Sequence, residues 1–452
     1  MMYLLPFILR KFKSTGLYAA LGAALLTGLI PAQAQRKLPL EEAIATALQY
    51  NYNIQLAKND SAVAAINYSY KNAALLPRVN SNVGTTWNNN DVKQILFDGT
   101  KRESNNLKSN NINANIALNW TLFDGLKMFA TRDKAGEYVK LGELGIKNEI
   151  VNTIANVINT YFNIVCQKQQ LKAIEEQMAL NNERVKLAQY KLDIGVGAKP
   201  DLLQSKVDLN AQKAAQLEQQ TRISQLIEQL NQVMNVAAGT TYEAGDSIPL
   251  NTSLTLGDIQ QGIESSNPEL LITKKNIDIA NYTLKERKAE RFPTLTFNSA
   301  YNLNRNKNQA VINSFSTLFN RTKGVNYGFT ASIPVFNSFN TKRLIQQAAL
   351  DIKYQQLIYD NQRSQINLGV INAFKEYEHQ KKTLELEEAN ILLARENVDI
   401  VFQTYKLGAA TFIQLREAQK SLEDAYNRLI AARYNTKLSE TELLRLKGDL
   451  VK

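Results

Sequence analysis

The residue types that most often carry out chemistry are scarce in this chain. Its 452 residues include one cysteine, Cys166, and one histidine, His379. One cysteine cannot form an intrachain disulfide, and one thiolate with one imidazole provides too few ligands for a structural zinc site. In a catalytic Cys–His dyad the thiol and the imidazole lie within hydrogen-bonding distance of each other. Cys166 and His379 lie far apart in sequence, on charged helical stretches. With no phosphate-loop motif either, we expect no enzyme and no cofactor.

The net charge gives little reason to expect a nucleic-acid partner. The chain has 53 Lys and Arg residues against 42 Asp and Glu residues, a formal charge of +11. A basic protein of this kind can bind nucleic acid. Here, however, the basic residues alternate with acidic ones along predicted helices, and no basic run is interleaved with aromatic residues. This pattern is typical of solvated helix faces.

The first residues have the pattern of a targeting signal. A basic segment around Lys11 precedes an apolar run at 17–30, and Ala32 and Ala34 form a small-x-small cleavage pattern. The apolar run is too short to span a bilayer comfortably. We predict a cleaved signal peptide at 1–34, with an uncleaved anchor as the alternative. No cysteine follows the cleavage site, so a lipid-anchored N-terminus is not expected.

The remainder of the chain contains one pattern twice. The segments that begin at Leu38 and Leu254 align at an offset of 216 residues, and the same offset pairs Pro77 with Pro293. A period of this length is too long for a solenoid. We predict two structural repeats, 35–250 and 251–452, which together form one intertwined domain. Each repeat has the order helix, two strands, very long helix, turn and return helix, and a proline ends the first helix.

The predicted strands have alternating apolar and small polar residues over about ten positions. The apolar members of two of them are Ala114, Ile116, Leu118, Trp120 and Leu122, and Val325, Tyr327, Phe329, Ala331 and Ile333. A water-filled membrane barrel has this alternation, but so does an ordinary half-buried hairpin. The alternation alone leaves both possibilities open.

The number of strands restricts how they could cross a membrane. No stretch of the mature chain approaches 20 uninterrupted apolar residues, so only strands could span a bilayer. Four strands cannot close a membrane barrel, whereas three chains would supply twelve. The Asn-rich segments 88–112 and 304–324 are predicted to be exposed loops between the strands.

Two proline-free segments, 126–192 and 339–407, predict unusually long helices. At 1.5 Å per residue each would be about 100 Å long. Their apolar residues keep heptad spacing, which is typical of antiparallel coiled coils. Each ends at a glycine-bearing turn, and shorter helices return at 201–235 and 412–447. The predicted fold class is therefore mixed α/β, with coiled-coil helices and four strands per chain, and it is that of a membrane protein if the strands span a bilayer.

Several of these segments resemble the TolC-type outer-membrane efflux proteins of Gram-negative bacteria. They are the opening LPLEEAIATALQYN, the Leu-Pro break before the first strand, NWTLFDG before the long helix, and the turns YKLDIGVGAKPDLLQ and YKLGAATFIQL. The resemblance covers almost the whole mature chain. It implies a homotrimer with a 12-stranded β-barrel in outer-membrane lipid and an α-helical barrel through the periplasm. It also implies docking to a periplasmic adaptor (membrane fusion) protein and an inner-membrane pump.

The resemblance also assigns residues to the periplasmic entrance of the tunnel. Gln414 and Glu417 match positions where the family has acidic residues around the entrance. Because Gln414 is neutral, any constriction that responds to cations should be weaker here. Asp201 and Tyr405 match positions that latch neighbouring helices in the family. The arginine of one such latch corresponds to Ala410, so that latch is not expected here.

The turns at the ends of the long helices correspond to the family's adaptor-docking tips. The matching residues are Gly195, Gly197, Ala198, Gly408 and Ala409. The glycines are explained most simply as turn residues, and only secondarily as contacts with an adaptor.

We predict that the trimer is a passive export channel, the outer component of a tripartite efflux system. An alternative is the same channel in type I protein secretion, which sequence cannot distinguish from small-molecule efflux. A second alternative, from another class, is a soluble periplasmic coiled-coil or adaptor protein. The doubled, alternating strands favour a channel over an adaptor.

Overall fold

The computed structural model describes residues 36–312 and 316–450, so the predicted signal peptide at 1–34 lies outside the described residues. The first half comprises β1 (Arg36–Leu38), α1 (Leu40–Tyr50), α2 (Tyr52–Ser69), β2 (Arg78–Ile95), β3 (Lys101–Phe123), α3 (Lys127–Asp193) and α4 (Lys199–Met234). The second half comprises β4 (Tyr242–Ala244), α5 (Leu256–Gln260), α6 (Ile263–Ser266), α7 (Pro268–Ala289), β5 (Thr294–Asn308), β6 (Phe319–Ser332), α8 (Asn340–Lys406) and α9 (Phe412–Lys447).

The long helices and the return helices have equal lengths in the two halves. The long helices α3 and α8 each contain 67 residues, and the return helices α4 and α9 each contain 36. The predicted long helices and their returns are therefore present. The preceding helices α2 and α7 end at Ser69 and Ala289, and Pro77 and Pro293 each directly precede a strand. None of the helices in the described ranges is long and apolar enough to cross a membrane.

The strands β2, β3, β5 and β6 form one antiparallel sheet in that order, so β2 and β6 are its edges. Directly paired residues of antiparallel strands lie on the same face. The register pairs Trp120 with Phe297, and Phe297 with Phe329, which places the predicted apolar residues of three strands on one face. The opposite face is polar: Asn82 donates to Asn115 at 3.1 Å, and other asparagines pair in the same way.

The segment 88–112, predicted above as a loop, is mostly strand, and 304–324 is strand at both of its ends, so the predicted bounds of these loops are wrong. The pairing of β2 with β3 continues to Ile95 and Lys101, and their turn is only 96–100. The second hairpin is paired out to Lys307 and Phe319. Asparagine is unfavourable in strands by propensity, but packing against cross-strand neighbours overrides it. Side-chain hydrogen bonds between strands, such as Asn88 to Ser109 at 3.2 Å, contribute to this.

Helices α8 and α9 pack as an antiparallel coiled coil with strict heptad spacing. On α8 every seventh residue is buried: Val370, Tyr377, Leu384, Ile391, Val398 and Tyr405. On α9 buried positions follow three- and four-residue steps that alternate large and small side chains: Leu415, Ala418, Leu422, Ala425, Leu429 and Ala432. The small residues let the helix axes approach closely, which favours the pairing of two helices whose other faces are polar.

Helix α3 lies at the centre of the bundle, where it packs against α2, α4, α7 and α9. Its half nearest the sheet is joined to α7 by ion pairs, including Lys134 with Glu286 at 2.6 Å and Lys275 with Glu137 at 2.7 Å. The other half packs against the return helices. The long helices thus connect the sheet at one end to the helical turns at the other.

The same contacts occur in both halves of the chain, at or close to the offset seen in the sequence. Asn51 caps α2 and donates to the carbonyl of Val233 at 2.8 Å, while Asn267 caps α7 and donates to that of Leu446 at 2.8 Å. Two buried tyrosines are related in the same way. The hydroxyl of Tyr161 donates to the carbonyl of Leu38 at 2.9 Å, and that of Tyr377 donates to the carbonyl of Asn251 at 2.7 Å. Each bond ties the segment that begins its half to a long helix.

Replacement of Tyr161 by Phe should therefore destabilise the protein. The Tyr161 hydroxyl also accepts from the amide of Gly245 at 2.9 Å, and its removal leaves the carbonyl of the buried Leu38 without its donor, at a cost of about 1–3 kcal/mol. We expect a lower thermal unfolding temperature for the detergent-purified variant. Tyr190→Phe on the same helix is the control, because Tyr190 is 62% exposed. Equal unfolding temperatures for the two variants would contradict this role of Tyr161.

Candidate functional site

The residues predicted as docking tips lie in the two helical turns farthest from the sheet. Gly195 and Gly408 have φ angles of +78° and +79°, a conformation that favours glycine. A Cβ on Gly197 would lie 2.8 Å from the backbone of Leu192, so this turn requires glycine for space as well. Ala198 is the N-cap residue of α4, and the amide of Ala409 donates to the carbonyl of Thr404 at 2.9 Å.

Lys191 joins the two turns. Its ammonium group donates to the carbonyl of Tyr405 at 2.6 Å and lies 3.8 Å from the centre of the Tyr405 ring. A cation over an aromatic face is attracted to the ring as well as to the carbonyl dipole. This contact fixes the end of α8 beside the end of α3. The resemblance did not assign any role to Lys191.

Asp201 lies close enough to Tyr405 for its carboxylate to affect the pKa of the Tyr405 hydroxyl. Tyr405 is buried, and Asp201 lies in the first turn of α4. Burial raises the pKa of Tyr405, and the carboxylate of Asp201 raises it further, while Arg184 opposes the shift. The Tyr405 hydroxyl therefore stays protonated in the single chain. The latching of neighbouring helices by these two residues stays a prediction.

Gln414 has a local structural role that the sequence interpretation missed. Its side-chain oxygen accepts from the amide of Thr411 at 2.8 Å, and the Thr411 hydroxyl accepts from the amide of Gln414 at 3.2 Å. This is a capping box, which satisfies free donors at the start of α9. The Thr-x-x-Gln spacing at 411–414 was the available signal.

Glu417 lies one turn further along α9 and is exposed in the single chain. It lines a cleft between α3, α4 and α9 together with Asp208, Arg416 and Lys420. Its carboxylate is thus placed at the tip end of the bundle.

A buried arginine, Arg184, ties the three helices of this cleft together. Its side chain is 2% exposed, and its guanidinium donates to Asp208 on α4 at 2.6 Å and to Gln419 on α9 at 2.6 Å. Arg416 of α9 also contacts Asp208, at 3.3 Å. Burial lowers the pKa of Arg184, and Asp208 opposes this shift. Because a buried charge requires a partner, Asp208 holds the three helices in one arrangement.

Sequence reasoning missed Arg184, although its spacing contained a signal. On α3 the buried residues Gln177, Asn181 and Arg184 follow Ala173 and precede Ala188 at three- and four-residue steps. Polar residues thus replace apolar ones along the packed face of the helix. A search for polar residues in heptad core positions would have found them.

The structure does not support chemistry at the residues considered first in the sequence. Cys166 is buried beside Ala173 and Ile430, and burial raises the pKa of its thiol to about 11. His379 is exposed on α8, and within 36–312 and 316–450 no hydrogen bond joins it to Cys166. Across the same ranges, no cluster of three or more His, Cys, Asp or Glu residues could hold a metal ion.

The sequence profile of the family described as Outer membrane efflux protein matches residues 43–236 and 260–449. The chain belongs to the outer membrane efflux protein family. The resemblance to this family is thereby confirmed. The family is one of transport channels and not of enzymes.

Curated relatives of this family extend over most of the chain. Outer membrane protein TolC of Vibrio cholerae is 22% identical over 414 residues, which cover 87% of this chain and 86% of that protein. Alkaline protease secretion protein AprF of Pseudomonas aeruginosa is 21% identical over 413 residues, with 87% and 83% covered.

Solved structures show that the fold is that of outer-membrane channels. The Campylobacter jejuni CmeC outer membrane channel matches with a TM-score of 0.76 and 15% identity, covering 91% of this chain and 85% of that one. The outer membrane protein VceC of Vibrio cholerae matches with a TM-score of 0.73 and 14% identity, covering 90% and 96%. At such identities the likeness concerns the fold alone.

Replacement of Arg184 by Met should loosen the tip end of this efflux-family protein. Breaking a buried ion pair destabilises by about 3–5 kcal/mol, and less where another cation such as Arg416 remains near the carboxylate. We expect faster hydrogen exchange at 199–209 and 412–419 in the variant. Arg416→Gln is the control, because half-exposed ion pairs contribute only about 0–1 kcal/mol. Similar exchange in both variants would show that Arg184 does not hold the helices.

Proposed function

We propose that three copies of this chain form an outer-membrane channel that continues into a periplasmic tunnel. The observation that carries the proposal is the four-stranded sheet, with one apolar face, one polar face and two unpaired edges. Three such sheets joined edge to edge give twelve strands, enough to close a barrel with a polar interior and an apolar exterior. Closure also satisfies the backbone groups of β2 and β6.

The length of the apolar face along the strands matches the thickness of the apolar part of a bilayer. On β5 it runs from Leu295 to Leu303, and a membrane strand needs about 9–11 residues. Trp120 lies near the helical end of this face and Trp87 near the hairpin end. Tryptophans at both ends of an apolar band are typical of membrane interfaces. The hairpin ends beyond the band would then lie outside the cell, and the helices would lie in the periplasm.

The long helices would form the wall of the tunnel. At 1.5 Å per residue, 67 residues give about 100 Å. Three chains would contribute their helices side by side, with the tips at the periplasmic entrance. Asp201, Tyr405, Gln414 and Glu417 would lie at this entrance. We also propose that 35–250 and 251–452 are two repeats of one structural unit within a single domain.

The family match supports a periplasmic adaptor and an inner-membrane pump as partners. Gly195, Gly197, Ala198, Gly408 and Ala409 are the proposed contacts with the adaptor, since they form the surface farthest from the sheet. The chain would be passive, because energy would come from the pump. The protein would reach the outer membrane after cleavage of residues 1–34.

Protein secretion is the second candidate function. It is supported by the relative AprF, whose name assigns it to secretion of alkaline protease. The soluble adaptor alternative is not favoured, since the family match extends over both helical hairpins and the sheet. Efflux and secretion would use the same channel and differ in the inner-membrane partner.

Replacement of Phe329 by Lys should prevent insertion into the outer membrane. Phe329 is 68% exposed on the apolar face of β6, and a lipid-facing lysine near the midplane destabilises insertion by about 2–4 kcal/mol. The measurement is the native mass of protein extracted by detergent from a purified outer-membrane fraction. We expect a particle of three chains for the wild type and little or none for the variant.

The neighbouring substitution Thr330→Lys is the matched control for Phe329→Lys. Thr330 is also exposed, but it lies on the polar face that would line the water-filled interior. This variant should insert and assemble normally. Recovery of the wild-type protein as a soluble monomer would contradict the channel, and normal insertion of Phe329→Lys would contradict the lipid-facing assignment.

Replacement of Glu417 by Gln should weaken block of the channel by multivalent cations. Three chains would bring three Glu417 carboxylates together, and converging carboxylates attract multivalent cations into a pore. The opposite substitution, Gln414→Glu, should strengthen block, because a carboxylate accepts the same capping hydrogen bonds and adds three charges. Single-channel recordings with a trivalent cation measure both effects. Unchanged block in both variants would refute a charged entrance ring at these positions.

A further inference from the structure

Five basic residues lie on the apolar face of the sheet, at its end nearest the hairpin turns. On β5 and β6 the register pairs Arg305 with Arg321 and Leu303 with Lys323. Lys307 follows on β5, and Lys108 lies on the same face of β3. All five side chains are exposed in the single chain. We call Lys108, Arg305, Lys307, Arg321 and Lys323 the basic rim.

The basic rim has no acidic counterpart in the described residues. Strands β5 and β6 contain no Asp or Glu, and none of the ion pairs found in 36–312 and 316–450 involves a rim residue. The ion pair within the sheet, between Lys93 and Glu103 at 3.2 Å, lies elsewhere on β2 and β3. Like charges placed directly opposite each other destabilise a sheet. An external anion between the Arg305 and Arg321 side chains would therefore stabilise this pair.

The position of the rim indicates the source of that anion. The apolar band ends at Leu303 on β5 and begins at Val325 on β6, and the next residues of the same face are Arg305 and Lys323. The rim thus lies directly beyond the part of the sheet that would contact acyl chains. Lipid headgroups lie at this depth, and clustered basic residues beside an apolar surface attract anionic headgroups.

We propose that the basic rim binds the phosphate groups of lipids in the outer leaflet. This inference rests on the proposed membrane insertion of the sheet. Arginine suits the role, because its guanidinium group can hold a phosphate through two parallel hydrogen bonds. In the trimer the rim would form a ring of positive charge around the barrel, at the level of the headgroups. Bound lipid phosphate would offset the repulsion between Arg305 and Arg321.

The test compares the full-length trimer with the variant Arg305→Gln/Arg321→Gln/Lys323→Gln. Both proteins are reconstituted in phosphatidylcholine vesicles with and without phosphatidic acid, re-extracted with detergent, and examined by native mass spectrometry for retained lipid. Each basic residue near an anionic surface strengthens attraction about fivefold, so loss of three should lower phosphatidic acid retention at least about tenfold. The variant should still insert, because its apolar band is intact.

The control variant Lys172→Gln/Lys206→Gln/Lys213→Gln removes the same charge from exposed positions on α3 and α4. It should retain phosphatidic acid like the wild type. Equal retention by the rim variant and the wild type would overturn the proposal. So would displacement of the lipid by inorganic phosphate alone, since that would mean a site for free phosphate and not for lipid. Failure of the wild type to insert into either kind of vesicle would instead overturn the proposed channel.

Discussion

The open edges of the sheet are the constraint on which the rest of this structure depends. Strands β2 and β6 each form a ladder on one side only, over 18 and 14 residues. Water can satisfy the free backbone groups of such an edge, but lipid cannot, and each unsatisfied group there costs several kcal/mol. In the proposed channel this requirement means that several chains must join their sheets. Because each strand pair continues into a long helix, the same rotation that closes the barrel also arranges the helices into a tube.

The long helices α3 and α8 have equal lengths because both begin at the sheet and their far ends contact each other. The contact between Lys191 and Tyr405 joins the ends of α3 and α8, two helices that begin at the same sheet. Each added residue lengthens a helix by 1.5 Å and rotates its end by about 100°. A single insertion in one long helix would therefore move its tip and rotate the heptad face away from its partner. The capping asparagines Asn51 and Asn267 similarly fix where the shorter helices begin against the ends of α4 and α9.

Much of the fold could be predicted from the sequence, because long elements have strong periodicity. The heptad spacing predicted both long helices, and strict alternation at Leu118 and Phe329 predicted strands and their faces. The extent of the strands could not be predicted, because asparagine propensity indicates loops and only cross-strand pairing reverses that preference. The site was less predictable. The capping role of Gln414 is local and was readable, whereas the partners of Arg184 lie on two other helices and depend on how those helices pack.

The buried thiol of Cys166 has a practical consequence for studies of motion at the tips. The thiolate is the form that reacts with maleimides and methanethiosulfonates, and a buried thiol with a pKa near 11 is both shielded and protonated at neutral pH. The native protein thus has no thiol in the described residues that reacts readily with such labels at neutral pH. A cysteine introduced at an exposed turn position, as in Ala409→Cys, would carry a spin label or a fluorophore alone. In the proposed trimer, movement of these turns could then be followed as distances between labels, with the rest of the protein unaltered.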